Sequence, residues 1–252
     1  ALKTYLSRFA LRSIFVASGD RYTVVESLVF HLKNYGFEVW YDFYDMFLGD
    51  NRYEENFKKG ISGSHYVIFV ISKNFFSSNC AKEELDYAQL LYERGEIILF
   101  PLLYCMSADE LPQEYNWIKK IIYNEIGEHS GTLFVANQII ERMLHDEVLN
   151  RKYRSLSECV NYLRNSNKDY MYSLLDAYLH IDTPNYSARI ALLYSAYLYI
   201  KSKHLLKESS YACKIVQRIY VFTGLNVALD HLSLSIFSLA MILILSDSIE
   251  HL

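Results

Sequence analysis

The chain has 252 residues, of which 52% are hydrophobic and 21% are charged, and this composition excludes an intrinsically disordered protein. A chain of this length forms one large domain or two small ones. Its formal net charge of −4 excludes the broad basic excess that is typical of nucleic-acid binding, so no nucleic-acid partner is expected.

The first half of the chain alternates strand-like and helix-like segments. Five apolar segments are predicted to be strands: residues 13–18, 37–42, 65–72, 96–104 and 118–124. Helical spacing predicts a helix that begins at Thr23, with Glu26 completing a capping box, and that stops at Gly36, followed by helices over residues 53–61, 81–92 and 134–144. This alternation with short connections predicts an α/β unit with a doubly wound, parallel, five-stranded sheet.

The loops after the predicted strands contain the candidate binding residues. Doubly wound sheets bind ligands beside the carboxyl ends of their strands, which here lead into loops that begin at Ser18, Asp42 and Ser72. Glycine lets the backbone approach a ligand closely, and small hydroxyl groups can donate to a phosphate or a ribose. We therefore expect Ser18, Gly19, Asp42, Phe43 and Ser72 to face one crevice. Taken alone, Ser18 and Ser72 also suit turns, and Asp42 also suits a helix cap.

The second half of the chain has only helical patterns. Ser155 and Glu158 form a capping box ahead of the first predicted helix. Four more are predicted: one over residues 171–179, one with Thr183 as N-cap and Pro184 as first residue, one that ends at Gly224, and one from Val227 to the end. We therefore predict an α/β domain over residues 1–148 and an all-helical domain over residues 149–252.

The cysteines and histidines do not have the spacing of a metal site. Cys80, Cys105, Cys159 and Cys213 lack metal-ligand or CxxC spacing, and the eight histidines are scattered. We expect no bound metal, and reduced thiols in a cytoplasmic protein. The N-terminal residues lack the apolar stretch of a signal peptide, and the apolar run over residues 232–245 is short for a bilayer, so no membrane association is expected.

Several sequence blocks, in the same order, resemble the Toll/interleukin-1 receptor/resistance (TIR) family. The blocks are residues 13–20 (SIFVASGD), 36–42 (GFEVWYD), 43–52 with Leu48-Gly49-Asp50, 60–72, and 74–85 (NFFSSNCAKEEL). The resemblance extends from about Arg12 to Asp146. It implies a flavodoxin-like fold for the first half of the chain, in which residues 43–52 correspond to the BB loop of the family.

TIR domains are either adaptors that only associate or enzymes that cleave NAD+ at the nicotinamide–ribose bond. The enzymes rely on a glutamate four residues after a tryptophan, and the resemblance puts Glu84, followed by Leu85, in that place. Glu83 is one residue out of register and about 100° around the helix. The helix dipole alone also favours a glutamate in a first turn. Cys80 stands where the family usually has tryptophan, which removes an aromatic wall from the expected pocket.

A single carboxylate suffices for the chemistry that the resemblance implies. Cleavage of the N-glycosidic bond develops positive charge on the ribose, while nicotinamide leaves as a neutral ring. The resemblance assigns Glu84 to hydrogen-bond the ribose hydroxyls and to stabilise that charge. NAD+ is then the substrate, and no cofactor is expected. Cys80 is expected to be a small pocket residue, since no histidine lies near it in the sequence to activate it.

Three functions stay open at this point. The first is an NAD+ glycohydrolase, activated by oligomerisation through the TIR domain and its BB loop, in bacterial defence or cell-death signalling. The second is a non-enzymatic scaffold for other TIR proteins, which Cys80 favours and Glu84 disfavours. The third is an enzyme that cyclises or transfers ADP-ribose, which the sequence does not separate from the first. Residues 151–252 carry 11 basic and 8 acidic side chains, and this helical domain suits assembly or the binding of an activating ligand or partner.

Overall fold

The computed structural model describes residues 11–16, 20–166, 168–208, 210–225 and 229–252. The chain divides into two compact units, Ala1–Ala136 and Asn137–Leu252. This division falls inside one helix, α5 (Leu133–Arg151). The predicted domain boundary between residues 148 and 149 lies in the same helix and stays a prediction.

The N-terminal unit contains a parallel sheet. In the described part of the chain the sheet has four strands: β1 (Leu11–Val16), β2 (Tyr66–Ile71), β3 (Ile98–Tyr104) and β4 (Asn124–Ile126). They lie in the order β1-β2-β3-β4, and every neighbouring pair is parallel. Every residue of β2 is buried, as expected for a strand that has neighbours on both sides and covered faces.

The prediction of five strands is not confirmed, because residues 37–42 do not form a strand. Phe37, Val39 and Tyr41 are buried, so the alternation that predicted the strand is present. However, Tyr41 makes only an isolated bridge, and Asp42 begins the short helix α2 (Asp42–Asp45). The backbone N–H of Tyr41 donates to Oδ2 of Asp45 at 2.8 Å, so a local side chain occupies a donor that a ladder would use.

The prediction of a strand over residues 118–124 is also wrong. Gln113–Lys120 is a 3-10 helix, and β4 begins only at Asn124. Tyr115 and Ile118 are its two buried residues, and they are three residues apart. That spacing places both side chains on one face of a 3-10 helix, which has three residues per turn.

Three further helices belong to the N-terminal unit. The first is α1 (Glu26–Asn34), which continues from a π-helical turn, Arg21–Val25. Asp20 is the N-cap of the π-helical turn, so the predicted helix start at Thr23 is wrong, whereas Gly36 has a φ of 91° and ends the helix as predicted. The others are α3 (Tyr53–Ile61), which is π-helical, and α4 (Asn79–Glu93).

One face of α4 packs against the core of the N-terminal unit. The buried residues of α4 recur at helical spacing and form one stripe along it: Ala81, Glu84, Leu85, Ala88 and Leu91. The apolar members of the stripe pack in a cluster with residues of β2 and β3. Glu84 lies in this stripe, while its neighbour Glu83 is exposed.

The C-terminal unit is helical throughout its described residues. After α5 it contains α6 (Leu156–Asn165), α7 (Asp169–His180), α8 (Tyr186–Ser202), α9 (Tyr211–Gly224) and α10 (His231–Ser248). The capping box of Ser155 and Glu158 is confirmed at the start of α6. By contrast, α8 has Asn185 as its N-cap instead of Thr183, because the Asn185 side chain accepts from the N–H of Ala188 at 3.2 Å.

The final helix begins later than predicted. Asp230 is the N-cap of α10 and accepts from the N–H of Ser233, whereas Val227 lies outside the described residues. The segment His231–His251 is the one described helix that is long and apolar enough to cross a membrane. Of the most apolar stretch of 18 residues within this segment, 72% is buried inside the structure.

Candidate active site

Glu84 is a buried carboxylate with two polar neighbours on α3 and the segment before it. Nδ2 of Asn56 donates to Oε1 of Glu84 at 2.6 Å. Nη1 of Arg52 lies 3.8 Å from the same oxygen. Arg52 and Asn56 are four residues apart, so both reach the same side of α4. Within the described part of the chain, Oε2 of Glu84 accepts no hydrogen bond.

Asp42 forms a second part of the site. Nη2 of Arg21 donates to Oδ2 of Asp42 at 3.1 Å, and the N–H of Phe43 donates to Oδ1 at 2.7 Å. The Arg21 guanidinium also lies over the Phe43 ring, 4.5 Å from its centroid. This cation–π contact and the ion pair hold Arg21 between an aromatic ring and a carboxylate.

The environment of both carboxyl groups raises their pKa values above the ordinary ones. Burial raises the pKa of Glu84 to about 7, and the charges of Asp42 and Glu83 raise it as well. The hydrogen bond from Asn56 and the charge of Arg52 act in the opposite direction. Burial also raises the pKa of Asp42, while Arg21 and the N–H of Phe43 lower it. The negative charge of Asp42 therefore acts on the ionisation of Glu84.

Four buried polar atoms in this cluster have no hydrogen-bond partner among the described residues. They are Nε of Arg21, the hydroxyl of Tyr41, Nη1 of Arg52 and Oδ1 of Asn56. Buried polar atoms are nearly always paired in folded proteins, so unpaired atoms need an explanation. Their concentration around two carboxylates supports a ligand-binding site here.

Comparison with known proteins identifies the N-terminal unit. A family model described as "TIR domain" matches residues 14–126. The chain is 32% identical over 95 residues to "2' cyclic ADP-D-ribose synthase BtTIR" of Bacteroides thetaiotaomicron, covering 38% of this chain and 33% of that protein. Residues 14–126 form a TIR domain.

Two further relatives of the TIR domain are named as hydrolases. "NAD(+) hydrolase TcpA" of Theionarchaea archaeon (strain DG-70-1) is 29% identical over 126 residues, which cover 49% of this chain and 37% of that protein. "NAD(+) hydrolase PdTIR" of Paracoccus denitrificans (strain Pd 1222) is 33% identical over 92 residues, which cover 36% of this chain and 30% of that protein. The chain therefore spans about a third of the length of these relatives.

Ser72 lies in a cavity of the TIR domain and is bonded to Asp20. Oγ of Ser72 donates to Oδ2 of the buried Asp20 at 2.5 Å and accepts from the N–H of Phe75. Both residues line an open cavity of about 230 Å³, together with Tyr104 and Cys105. Asp20 precedes Arg21 directly, so one dipeptide contributes to this cavity and to the ion pair with Asp42.

The structure describes only some of the other residues that were predicted to belong to the site. Ser18 and Gly19 lie outside the described residues. Phe43 is exposed and stacks with Arg21, and Cys80 is exposed near the start of α4. Four further residues of this cluster were not predicted from the sequence: Arg21, Tyr41, Arg52 and Asn56.

No metal-binding cluster is found in the described part of the chain. No group of three or more histidine, cysteine, aspartate or glutamate residues there could hold a metal ion. All four cysteines are free, with Cys80 and Cys105 exposed and Cys159 and Cys213 buried. Burial raises the pKa of Cys159 to about 11, so its thiol is protonated at neutral pH.

Proposed function

We propose that the TIR domain cleaves the nicotinamide–ribose bond of NAD+ and that the Glu84 carboxylate is its catalytic group. The observation that carries the proposal is the environment of Glu84: a buried carboxylate in the family's glutamate position, held at Oε1 by Asn56. The names of its relatives, NAD(+) hydrolase and 2' cyclic ADP-D-ribose synthase, support the substrate and the bond. NAD+ is the substrate in this proposal, and no cofactor takes part.

The chemistry requires one ionised carboxylate. The C–N bond breaks and its electron pair leaves with nicotinamide, which becomes neutral, while positive charge develops on the ribose carbon. A carboxylate in a site that excludes water stabilises that charge more strongly than it does in bulk water. Water then forms the new C–O bond and releases a proton, which gives ADP-ribose. Because burial raises the pKa of Glu84 to about 7, both the ionised and the protonated carboxyl group are populated at neutral pH.

The two arginines of the site suit the rest of the substrate. Arg21 and Arg52 each have a buried nitrogen, Nε and Nη1 respectively, that donates no hydrogen bond to a described residue. Guanidinium groups bind phosphate oxygens through such N–H groups. We assign to Arg21 and Arg52 the binding of the pyrophosphate of NAD+. Ser18, Gly19, Phe43, Ser72 and Cys80 are proposed as further residues that line the substrate-binding region.

A cyclising enzyme is the second candidate, and the name of BtTIR favours it. In cyclisation, a hydroxyl of the same ADP-ribose unit forms the new C–O bond instead of water. Glu84 has the same role in both reactions, so the product depends on which nucleophile reaches the ribose carbon first. Separation of the products by chromatography distinguishes ADP-ribose from a cyclic form or a transferred form.

We further propose that the domain works as an oligomer. The BB loop (residues 43–52) exposes Phe47 at 75% and Leu48 at 107% of their reference areas, and such apolar exposure supports self-association. The helical domain, residues 149–252, is proposed to control assembly or to bind an activating ligand or partner. A cytoplasmic location and a role in bacterial defence or cell-death signalling complete the proposal.

The test is NAD+ consumption by the purified chain at high concentration, compared with Glu84→Gln. We expect nicotinamide release by the wild type and its loss in Glu84→Gln. Glu93→Gln is the matched control, because Glu93 lies on α4 and exposes its carboxylate to solvent. Equal turnover by wild type and Glu84→Gln would remove Glu84 as the catalytic group. Absence of turnover in all variants, at concentrations where the chain assembles, would favour the non-enzymatic scaffold.

A further inference from the structure

Asn56 is a polar residue on the buried face of a helix. The buried residues of α3 are Asn56, Phe57, Gly60 and Ile61, and Asn56 is only 5% exposed. Its Nδ2 donates to Glu84, while its Oδ1 is buried and has no partner among the described residues. An unpaired buried acceptor costs about 1–3 kcal/mol. An apolar side chain would avoid this cost, so packing alone does not account for an asparagine here.

The contacts of Glu84 with α3 and the residue before it are concentrated on one oxygen. Asn56 bonds Oε1 at 2.6 Å, and Arg52 also approaches Oε1, at 3.8 Å. Oε2 accepts no hydrogen bond within the described part of the chain. A short bond at a single oxygen restricts rotation of the carboxylate and leaves the other oxygen to accept from a ligand.

We propose that Asn56 is a positioning residue, which holds Oε1 of Glu84 so that Oε2 is presented to the substrate. This inference rests on the proposed role of Glu84 in NAD+ cleavage. The primary amide suits the position because it serves both protonation states of its partner. Nδ2 donates to the carboxylate, and after a half-turn of the amide Oδ1 accepts from the protonated carboxyl group.

The charged groups that face Glu84 come from three places. Arg52 precedes α3, Asp42 begins α2, and Glu83 is the neighbour on α4. A neutral substitution at Asn56 leaves all three in place, so it tests the hydrogen bond alone. The hydrogen bond from Asn56 lowers the pKa of Glu84, so its removal raises that pKa further.

The experiment compares Asn56→Leu and Asn56→Asp with the wild type, using the full chain and NAD+ across a range of pH. For Asn56→Leu we expect the acidic limb of the kcat profile to move to higher pH. We also expect kcat at its plateau to fall about tenfold or more, because a mispositioned catalytic group loses rate. KM should change much less than kcat. Asn56→Asp should shift the acidic limb further, since two carboxylates then share one site.

The matched control is Gln89→Leu. Gln89 lies on α4 and donates from Nε2 to Oε1 of Glu93 at 2.7 Å, so this variant also removes an amide–carboxylate bond, but at the surface. We expect it to keep the wild-type pH profile. A limb shift in Gln89→Leu equal to that in Asn56→Leu would overturn the inference.

A readout without turnover separates this inference from the proposed function. In protein labelled with 13C at glutamate carboxyl groups, the resonance missing from Glu84→Gln identifies Glu84 and gives its pKa. A higher pKa of Glu84 in the neutral variant Asn56→Leu supports the inference even if no NAD+ is cleaved. An unchanged pKa together with an unchanged kcat profile overturns it, while wild-type turnover would still support the proposed function. Asn56→Ala is neutral and removes the same amide without adding bulk, so it carries the test if Asn56→Leu does not fold.

Discussion

Arg52 forms its short hydrogen bond with Glu83, not with Glu84. Its Nη2 donates to Oε2 of Glu83 at 2.5 Å, whereas its Nη1 is 3.8 Å from Oε1 of Glu84. The Glu83 side chain is 60% exposed and that of Glu84 is 8% exposed, so one arginine joins a solvated carboxylate to a buried one. The less Arg52 is engaged with Glu83, the more it can stabilise the charge of Glu84.

Glu83→Gln should therefore lower the pKa of Glu84. The substitution removes a nearby negative charge that raises this pKa, and it releases Arg52 to approach Oε1. We expect the acidic limb of NAD+ cleavage to move to lower pH, which a pH series of kcat measures. Glu54→Gln is the control, because it breaks the surface pair of Glu54 and Lys58 on α3. A shift to higher pH in Glu83→Gln would contradict the arrangement.

The buried carboxyl group also makes the stability of the protein depend on pH. Burial raises the pKa of Glu84 from its ordinary value of 4.5 to about 7. Between these two values the folded state binds more protons at Glu84 than the unfolded state, so stability falls as pH rises through this window. Glu84→Gln cannot ionise and escapes this loss. Its stability relative to the wild type should rise by roughly 2–3 kcal/mol between about pH 4.5 and about pH 8.

Denaturant unfolding of wild type, Glu84→Gln and Glu93→Gln at both pH values measures this difference. Glu93 is exposed, so its variant should show the same pH dependence as the wild type. If Glu84→Gln and the wild type respond equally to pH, the Glu84 carboxyl group is not held in a low-dielectric environment.

The sequence alone predicted the structural features that depend on residues close together along the chain. The continuous apolar run over residues 65–72 predicted β2, because a strand covered on all sides needs no polar positions. Glu84 was singled out by its place in the family motif, and the structure places it within the buried stripe of α4. The stripe alone would have predicted an apolar residue at position 84.

Long-range pairing explains most of what the sequence did not predict. Whether residues 37–42 join the sheet depends on a neighbouring strand and on the competing bond from Tyr41 to Asp45, which alternation does not reveal. Arg21 meets Asp42 across 21 residues, and Asn56 meets Glu84 across 28. Arg52 and Asn56 are four residues apart, and this spacing was the one feature of the sequence from which a common helix face could have been predicted for them. The hydrogen bond from Ser72 to Asp20 joins residues that are 52 positions apart, which local patterns do not reveal.

The exposed BB loop gives a prediction about assembly. Phe47→Asp combined with Leu48→Asp places two charges on its most exposed apolar side chains. We expect NAD+ cleavage per molecule to become independent of protein concentration and to stay at the low level of the dilute wild type. Light scattering should show loss of oligomers. Ile122→Asp is the control, since Ile122 is 95% exposed on the same unit and outside the loop. A similar loss in Ile122→Asp would attribute the effect to added charge alone.

Cys80 offers a gain-of-function test of the site. It lies four residues before Glu84, about one helical turn away on the same side of α4, and it is exposed, so a larger side chain has room. Cys80→Trp supplies the aromatic wall of the family pattern, and an aromatic contact contributes about 1 kcal/mol beyond area burial. We expect KM for NAD+ to fall roughly fivefold while kcat changes little, because the indole binds substrate and takes no part in bond cleavage. Cys80→Ala should leave KM unchanged. A higher KM in Cys80→Trp would mean that the substrate of this protein occupies the space that the indole fills in the variant.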